Sequence, residues 1–143
     1  MHQIDWLQML DYRQNMHHFS RKLLLQSRET TLNTSELEVL SLLYLHPDEN
    51  TPLALSRRSG MKKEAVSRSI RQLSEMGCLE KQVNPQDERS YSLSLTKTGL
   101  QKLSENYAVI LQPMYTLQRK MGDDFEVLFD LLEKANQLLE EPK

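Results

Sequence analysis

The sequence predicts a mainly α-helical fold with a small β-hairpin wing (α+β): a winged helix-turn-helix flanked by N- and C-terminal helices. Three observations predict it. The run from Thr51 to Thr96 reads as helix, turn, second helix and hairpin with a charged tip. Gly and Pro are scarce, four and five in 143 residues, while 27% of residues are charged, a balance that favours helix. Apolar residues recur at helical spacing on both sides of the run. The length suits one domain, residues 1–143, with a sizeable core. With 38% hydrophobic and only 6% aromatic residues, that core is mostly Leu, Met, Ile and Val.

The first helix is expected from about Ile4 to Arg28, with Leu7, Leu10, Met16, Phe19, Leu23 and Leu24 at roughly helical spacing. Thr34 or Ser35 caps the second, and Glu38 stands three residues after Ser35 as in a capping box. Leu37, Leu40, Leu43 and Tyr44 form its buried stripe, and Pro47 stops it. Thr51-Pro52 opens the third helix with a hydroxyl cap and Pro at the first position. It ends near Gly60, suited to a left-handed C-terminal turn. The fourth runs from about Lys62 to Met76, with Val66, Ile70 and Leu73 on one face and Gly77 closing it.

Leu79–Val83 and Tyr91–Leu95 read as two strands, joined by the turn-rich NPQDERS. Thr96 caps a fifth helix, from about Lys97 to Met121, with Leu100, Leu103, Tyr107, Ile110 and Leu111 on its apolar face. Pro113 bends or breaks it. Gly122-Asp123 begins a last helix that carries Phe125, Leu128, Phe129, Leu132 and Leu139.

The net charge of −2 hides an asymmetry. Residues 51–100 hold nine Lys or Arg against five Asp or Glu, a surplus of four; the remainder hold nine against fifteen. A basic middle between acidic ends fits a segment facing phosphate. No apolar run is long enough for a membrane span. Asp5 and Asp11 interrupt any signal-like stretch, and the lone Cys78 permits no internal disulfide. A reducing cytoplasm is the expected location. There is no phosphate-cradling glycine loop, no H-E-x-x-H spacing and no nucleophile motif, so neither an enzyme nor a cofactor is expected.

A helix laid in the major groove needs one face packed on its own protein and the other polar. The fourth helix has this division, with Lys63, Ser67, Arg68 and Arg71 opposite Val66, Ile70 and Leu73. Arg bonds a guanine edge bidentately, worth about 1–3 kcal/mol of discrimination. Lys62 and Lys63 sit where the helix dipole disfavours cations by about 0.3–1 kcal/mol each, which makes sense if a phosphate docks there. At the hairpin tip, Arg89 is placed to enter a narrow minor groove, with Asp87 two residues earlier to hold its guanidinium. The DNA-binding candidates are therefore Lys62, Lys63, Ser67, Arg68, Arg71 and Arg89. A winged-helix module for protein–protein contact is the alternative; it predicts neutral or acidic residues on these faces.

With these residues in view, the chain resembles the MarR family of bacterial transcription regulators. The resemblance rests on Ala65-Val66-Ser67-Arg68 with Leu73 and Gly77, then Pro85, Asp87, Arg89 and Ser90, then Leu95-Thr96 and Gly99. Lys62 departs from the Ser or Thr often found at the start of the family's recognition helix. The resemblance implies that residues 34–96 form the DNA-binding lobe and that 1–30 and 97–143 are dimerisation helices. It implies a homodimer on a pseudo-palindromic double-stranded operator, and repression of nearby genes relieved by a small-molecule effector. Family pockets lie between dimer helices and lobe, which makes Phe19, Leu23, Tyr44 and Tyr107 the candidate lining; core packing accounts for the same four. Cys78 reads as a core position rather than a redox sensor. His17 and His18 are adjacent and point to different faces, so no metal site is expected.

Overall fold

The computed structural model describes residues 1–24 and 30–140, with the Glu88 side chain left out. Asp5 starts the first helix, α1 (Trp6–Leu23): its carboxylate accepts from the Gln8 N–H at 2.8 Å, and the Gln8 side chain accepts from the Asp5 N–H. The last turn expected for this helix, residues 25–28, lies outside the described residues. Asn33, not Thr34 or Ser35, caps α2 (Thr34–Leu45). Its Oδ1 accepts from the Glu36 N–H at 2.8 Å while Glu36 Oε1 accepts from the Asn33 N–H at 2.9 Å. An Asn-x-x-Glu box thus overlaps the expected Ser-x-x-Glu box two residues out of frame, and Asn caps at least as well as Ser. Val39 joins Leu37, Leu40 and Leu43 in the buried stripe, while Tyr44, in the last turn, is 56% exposed.

Thr51 Oγ1 accepts from the Ala54 N–H at 3.1 Å and opens α3 (Pro52–Ser59); Gly60, at φ +74°, ends it. The next helix, α4 (Lys63–Glu75), closes on a Schellman motif: the Cys78 N–H donates to the Leu73 carbonyl and the Gly77 N–H to the Ser74 carbonyl. Gly77 supplies the left-handed residue, φ +76°, that this motif requires.

Strands β1 (Leu79–Asn84) and β2 (Asp87–Leu95) pair antiparallel from Leu79↔Leu95 to Asn84↔Asp87, with an irregularity at Val83/Asn84. The strands are longer than expected and leave only Pro85-Gln86 between them, since residues 87–90 belong to β2. Asn84 Oδ1 accepts from the Gln86 N–H and Asp87 Oδ1 from the Arg89 N–H, each at 3.0 Å, which tightens the turn. The Asn50 carbonyl accepts from the Leu93 N–H and ties the segment before α3 to the wing.

Thr96 Oγ1 accepts from the Gly99 N–H at 3.0 Å at the start of α5 (Lys97–Ile110). The helix expected to run on to Met121 is broken at Leu111, and α6 (Gln112–Met121) begins with Pro113 in its first turn. Pro has no N–H to continue the ladder but suits a helix start, so the chain restarts rather than bends. After Gly122 comes α7 (Asp124–Glu140).

The chain divides into two compact units, Ser27–Val109 and Met1–Gln26 with Ile110–Lys143. Most of α5, expected among the flanking helices, clusters with the winged-helix unit. That unit holds the core: Leu32, Leu37, Val39, Leu40, Leu43, Leu55, Val66, Ile70, Leu73, Cys78, Leu79, Leu93 and Leu103 are buried. Each large side chain fully buried there contributes about 1.5–3 kcal/mol. Buried Asn106 on α5 joins them: its Oδ1 accepts from the Thr31 and Leu32 N–H groups, and its Nδ2 donates to Thr31 Oγ1 and the Lys102 carbonyl. In the other unit, Phe125 and Phe129 pack at 4.7 Å between centroids, yet no residue of α1, α6 or α7 is buried.

Candidate nucleic-acid interface

The packing of α4 decides which of its side chains are free to meet a ligand. Val66, Ser69, Ile70 and Leu73 are buried, whereas Lys62, Lys63, Ser67, Arg68 and Arg71 are all exposed. Lys63 and Ser67 are four residues apart and Arg68 and Arg71 three, so each pair shares a strip of the exposed face. Lys62 occupies the N-cap position and makes no side-chain cap bond. The first turn of α4 therefore lacks the usual oxygen acceptor for its free N–H groups.

A cleft of ≈ 470 Å³ brings three of the six candidates together. Lys63 and Ser67 of α4 line it with Asp87, Arg89, Ser90 and Tyr91 of β2 and with Thr51, Pro52 and Leu53 at the start of α3. Lys62, Arg68 and Arg71 are not among its lining residues. Arg89 is exposed, and the expected hold on its guanidinium is corrected: Asp87 accepts the Arg89 backbone N–H instead. The i→i+2 bond to the main chain closes the turn with a short side chain. The Lys81 ammonium lies 4.5 Å from the centroid of the Tyr91 ring. Tyr91, Ser90 and the Thr51–Leu53 segment were not among the expected DNA-binding residues, because only the folded hairpin sets them beside α4.

At the end of α3, the Arg58 guanidinium pairs with Glu49 through two hydrogen bonds. Chiefly through that bond, Arg58 holds the Glu49 carboxyl below the usual carboxylate range. The stabilisation is present above the unfolded carboxyl's pKa and lost as pH falls; both groups are exposed, so its size is small.

The four residues expected around a ligand fall in different units. Phe19 and Leu23 line a cleft of ≈ 660 Å³ with Lys22, Pro113, Leu117 and Lys120, all within the unit of α1, α6 and α7. Tyr107 belongs to the winged-helix unit, half-buried, with its hydroxyl 2.8 Å from Ser41 Oγ. Ser41 gives its hydrogen to the Leu37 carbonyl, so Tyr107 is the donor between the two hydroxyls. Tyr44 is exposed in the same unit. Burial pushes the Cys78 thiol above its usual pKa. Among the described residues, no three His, Cys, Asp or Glu side chains are placed to hold a metal ion, and no helix is long and apolar enough to cross a membrane.

Residues 30–90 match the sequence model of the MarR family. An uncharacterized HTH-type transcriptional regulator of Bacillus subtilis, YdgJ, is 31% identical over 77 residues, which are 54% of this chain and 46% of that protein. The chain thus spans just under half the length of this relative. Among solved structures, wild-type MarR from E. coli without ligand is 22% identical with a TM-score of 0.65, over 93% of this chain and 98% of that one. A MepR–DNA complex from S. aureus is 18% identical with a TM-score of 0.64, over 96% and 100%. PcaV from Streptomyces coelicolor, with its natural ligand, is 23% identical with a TM-score of 0.58, over 98% and 100%. These likenesses show the winged-helix fold.

Proposed function

We propose, from the match of residues 30–90 to the MarR family model, that this protein is a sequence-specific DNA-binding transcription regulator. The observation that carries this reading is the division of α4. Its apolar side is sealed in the core, and its outward side presents Lys63, Ser67, Arg68 and Arg71. A helix so divided lies in the major groove, where Arg68 and Arg71 form bidentate bonds to guanine edges. Lys62 and Lys63, at a helix start without a side-chain cap, meet backbone phosphate. Arg89 on the wing adds a cation outside the major groove. The likeness to MepR, solved on DNA, supports the same use of the fold here.

The protein acts as a homodimer on a pseudo-palindromic site. Trp6, Leu7, Met16, Val127, Leu131 and Leu139 are each more than half exposed in the single chain, an apolar surface that a second copy would cover. It represses genes near its site and leaves DNA when a small molecule occupies the cleft lined by Phe19 and Leu23. PcaV, a structural neighbour with a bound natural ligand, supports an effector of this kind.

Binding to a duplex followed by fluorescence anisotropy tests the DNA reading. Log affinity is expected to fall linearly with log salt, by about 0.9 for each phosphate neutralised. Affinity indifferent to salt would overturn it in favour of a protein-contact module.

A further inference from the structure

Buried Asn106 joins the two places where the chain crosses the boundary of the winged-helix unit. The chain enters that unit at Ser27 and leaves it at Val109. Asn106 stands on α5 within one turn of the exit, and its amide binds Thr31 and Leu32, just inside the entry. Resting on the reading of a dimer that meets two half-sites, we propose that Asn106 is a positioning residue for DNA binding. It clasps entry to exit, so that α4 is carried as part of one body and meets its half-site at a fixed spacing from its twin.

The amide spends its whole bonding capacity on this clasp and on its own helix. Oδ1 accepts from the Thr31 N–H at 2.9 Å and the Leu32 N–H at 3.3 Å. Nδ2 donates to Thr31 Oγ1 at 3.1 Å and to the Lys102 carbonyl at 2.7 Å. Donors face the oxygen and a carbonyl faces the nitrogen, so the amide fits in one orientation only. Asn is a poorer helix former than Ala or Leu, and at 3% exposure it is costly to bury unless its polar atoms are bonded. An apolar residue would serve α5 better if filling the core were all this position did. Leu32 is itself buried, and Asn33 follows it as the cap of α2. Since α2 packs against α3 and α4, the clasp refers the position of α4 to the last turns of α5. Beside it, the Tyr107 hydroxyl donates to Ser41 Oγ and ties the same stretch of α5 to the middle of α2. Without the clasp the entry segment is released from α5. The winged helix then hangs from two crossings that are no longer joined, and its reach widens.

The test uses the full chain and a duplex recovered by selecting random-sequence DNA on the protein. The duplex is made in three forms: as selected, with two base pairs (about a fifth of a helical turn) inserted between the half-sites, and with one half-site only. Each is bound to wild type, Asn106→Ala and Thr31→Val. Thr31 is exposed, so Thr31→Val removes one bond of the clasp without touching the core, and it carries the test if Asn106→Ala fails to fold. Wild type should bind the selected duplex about a hundredfold more tightly than the single half-site and lose most of that gain on insertion. Both substitutions should leave single-half-site affinity within about twofold and shrink the insertion penalty, by about tenfold for Asn106→Ala and by less for Thr31→Val. An equal loss on all three duplexes, or a penalty as steep as that of wild type, would overturn the clasp and leave the DNA reading standing. A wild type indifferent to the insertion would overturn the two-half-site reading and the clasp with it. Recovery of no duplex at all would overturn the DNA reading as well.

Discussion

Gly99 packs so closely against Cys78 that a Cβ on it would come 2.3 Å from the Cys78 carbonyl oxygen. The same oxygen accepts the Thr96 N–H at 3.1 Å, and Thr96 Oγ1 donates to the neighbouring Gly77 carbonyl at 2.6 Å. The end of α4 and the start of α5 are thus joined through backbone that cannot retreat. Gly99→Ala should destabilise the protein by about 1–3 kcal/mol through overpacking. Melting temperature falls about 2–4 °C per kcal/mol in a chain of this size. Gly60→Ala is the control: open space surrounds it, and its φ of +74° costs roughly 1 kcal/mol alone. A Gly99→Ala variant at least as stable as Gly60→Ala would contradict this packing.

Arg68→Ala should relax base preference and weaken specific binding by about 1–3 kcal/mol while leaving stability unchanged, since the side chain is exposed. Competition between the selected duplex and its single-base variants measures it. Unchanged discrimination would remove Arg68 from base reading.

Leu131 is 59% exposed on α7. Leu131→Asp should shift the protein from dimer to monomer in sedimentation velocity at micromolar concentration and lower affinity for a two-half-site duplex. A variant as dimeric as wild type would move the dimer contact off this part of α7.

Burial raises the Cys78 pKa, with the Lys102 charge opposing and Glu36 adding to the rise. A folded-state pKa above the unfolded one gives stabilisation that is full below the unfolded thiol's pKa and lost as pH climbs through the folded value. The unfolding free energy should therefore decline at alkaline pH by more in wild type than in Cys78→Ala. In the folded protein the thiol should resist alkylation, and in urea it should react. Rapid alkylation without denaturant would contradict the burial of Cys78.

What was legible in the sequence is what local chemistry enforces. Thr51-Pro52, Gly60 and Gly77 mark helix ends because a hydroxyl cap, a missing N–H or a positive φ acts within a few residues. Pro113 announced an interruption, although bend and break could be separated only by the restart at Gln112. The α2 cap was misplaced because two polar-x-x-Glu frames overlap there, and the bonds choose Asn33. Asn106 gave no signal, being one polar residue in a helical stretch whose partners, Thr31 and Leu32, lie more than seventy residues away. The division of α4 followed from its periodicity. The placing of Lys63 and Arg89 along one cleft did not, because it depends on where the hairpin packs.

The central claim is that this winged helix reads DNA sequence. Selection of genomic fragments by the purified protein at near-physiological salt, read by sequencing, tests it most directly. The result predicted is enrichment of one pseudo-palindrome with half-sites about one helical turn apart. Salt-sensitive background without any enriched sequence would contradict it.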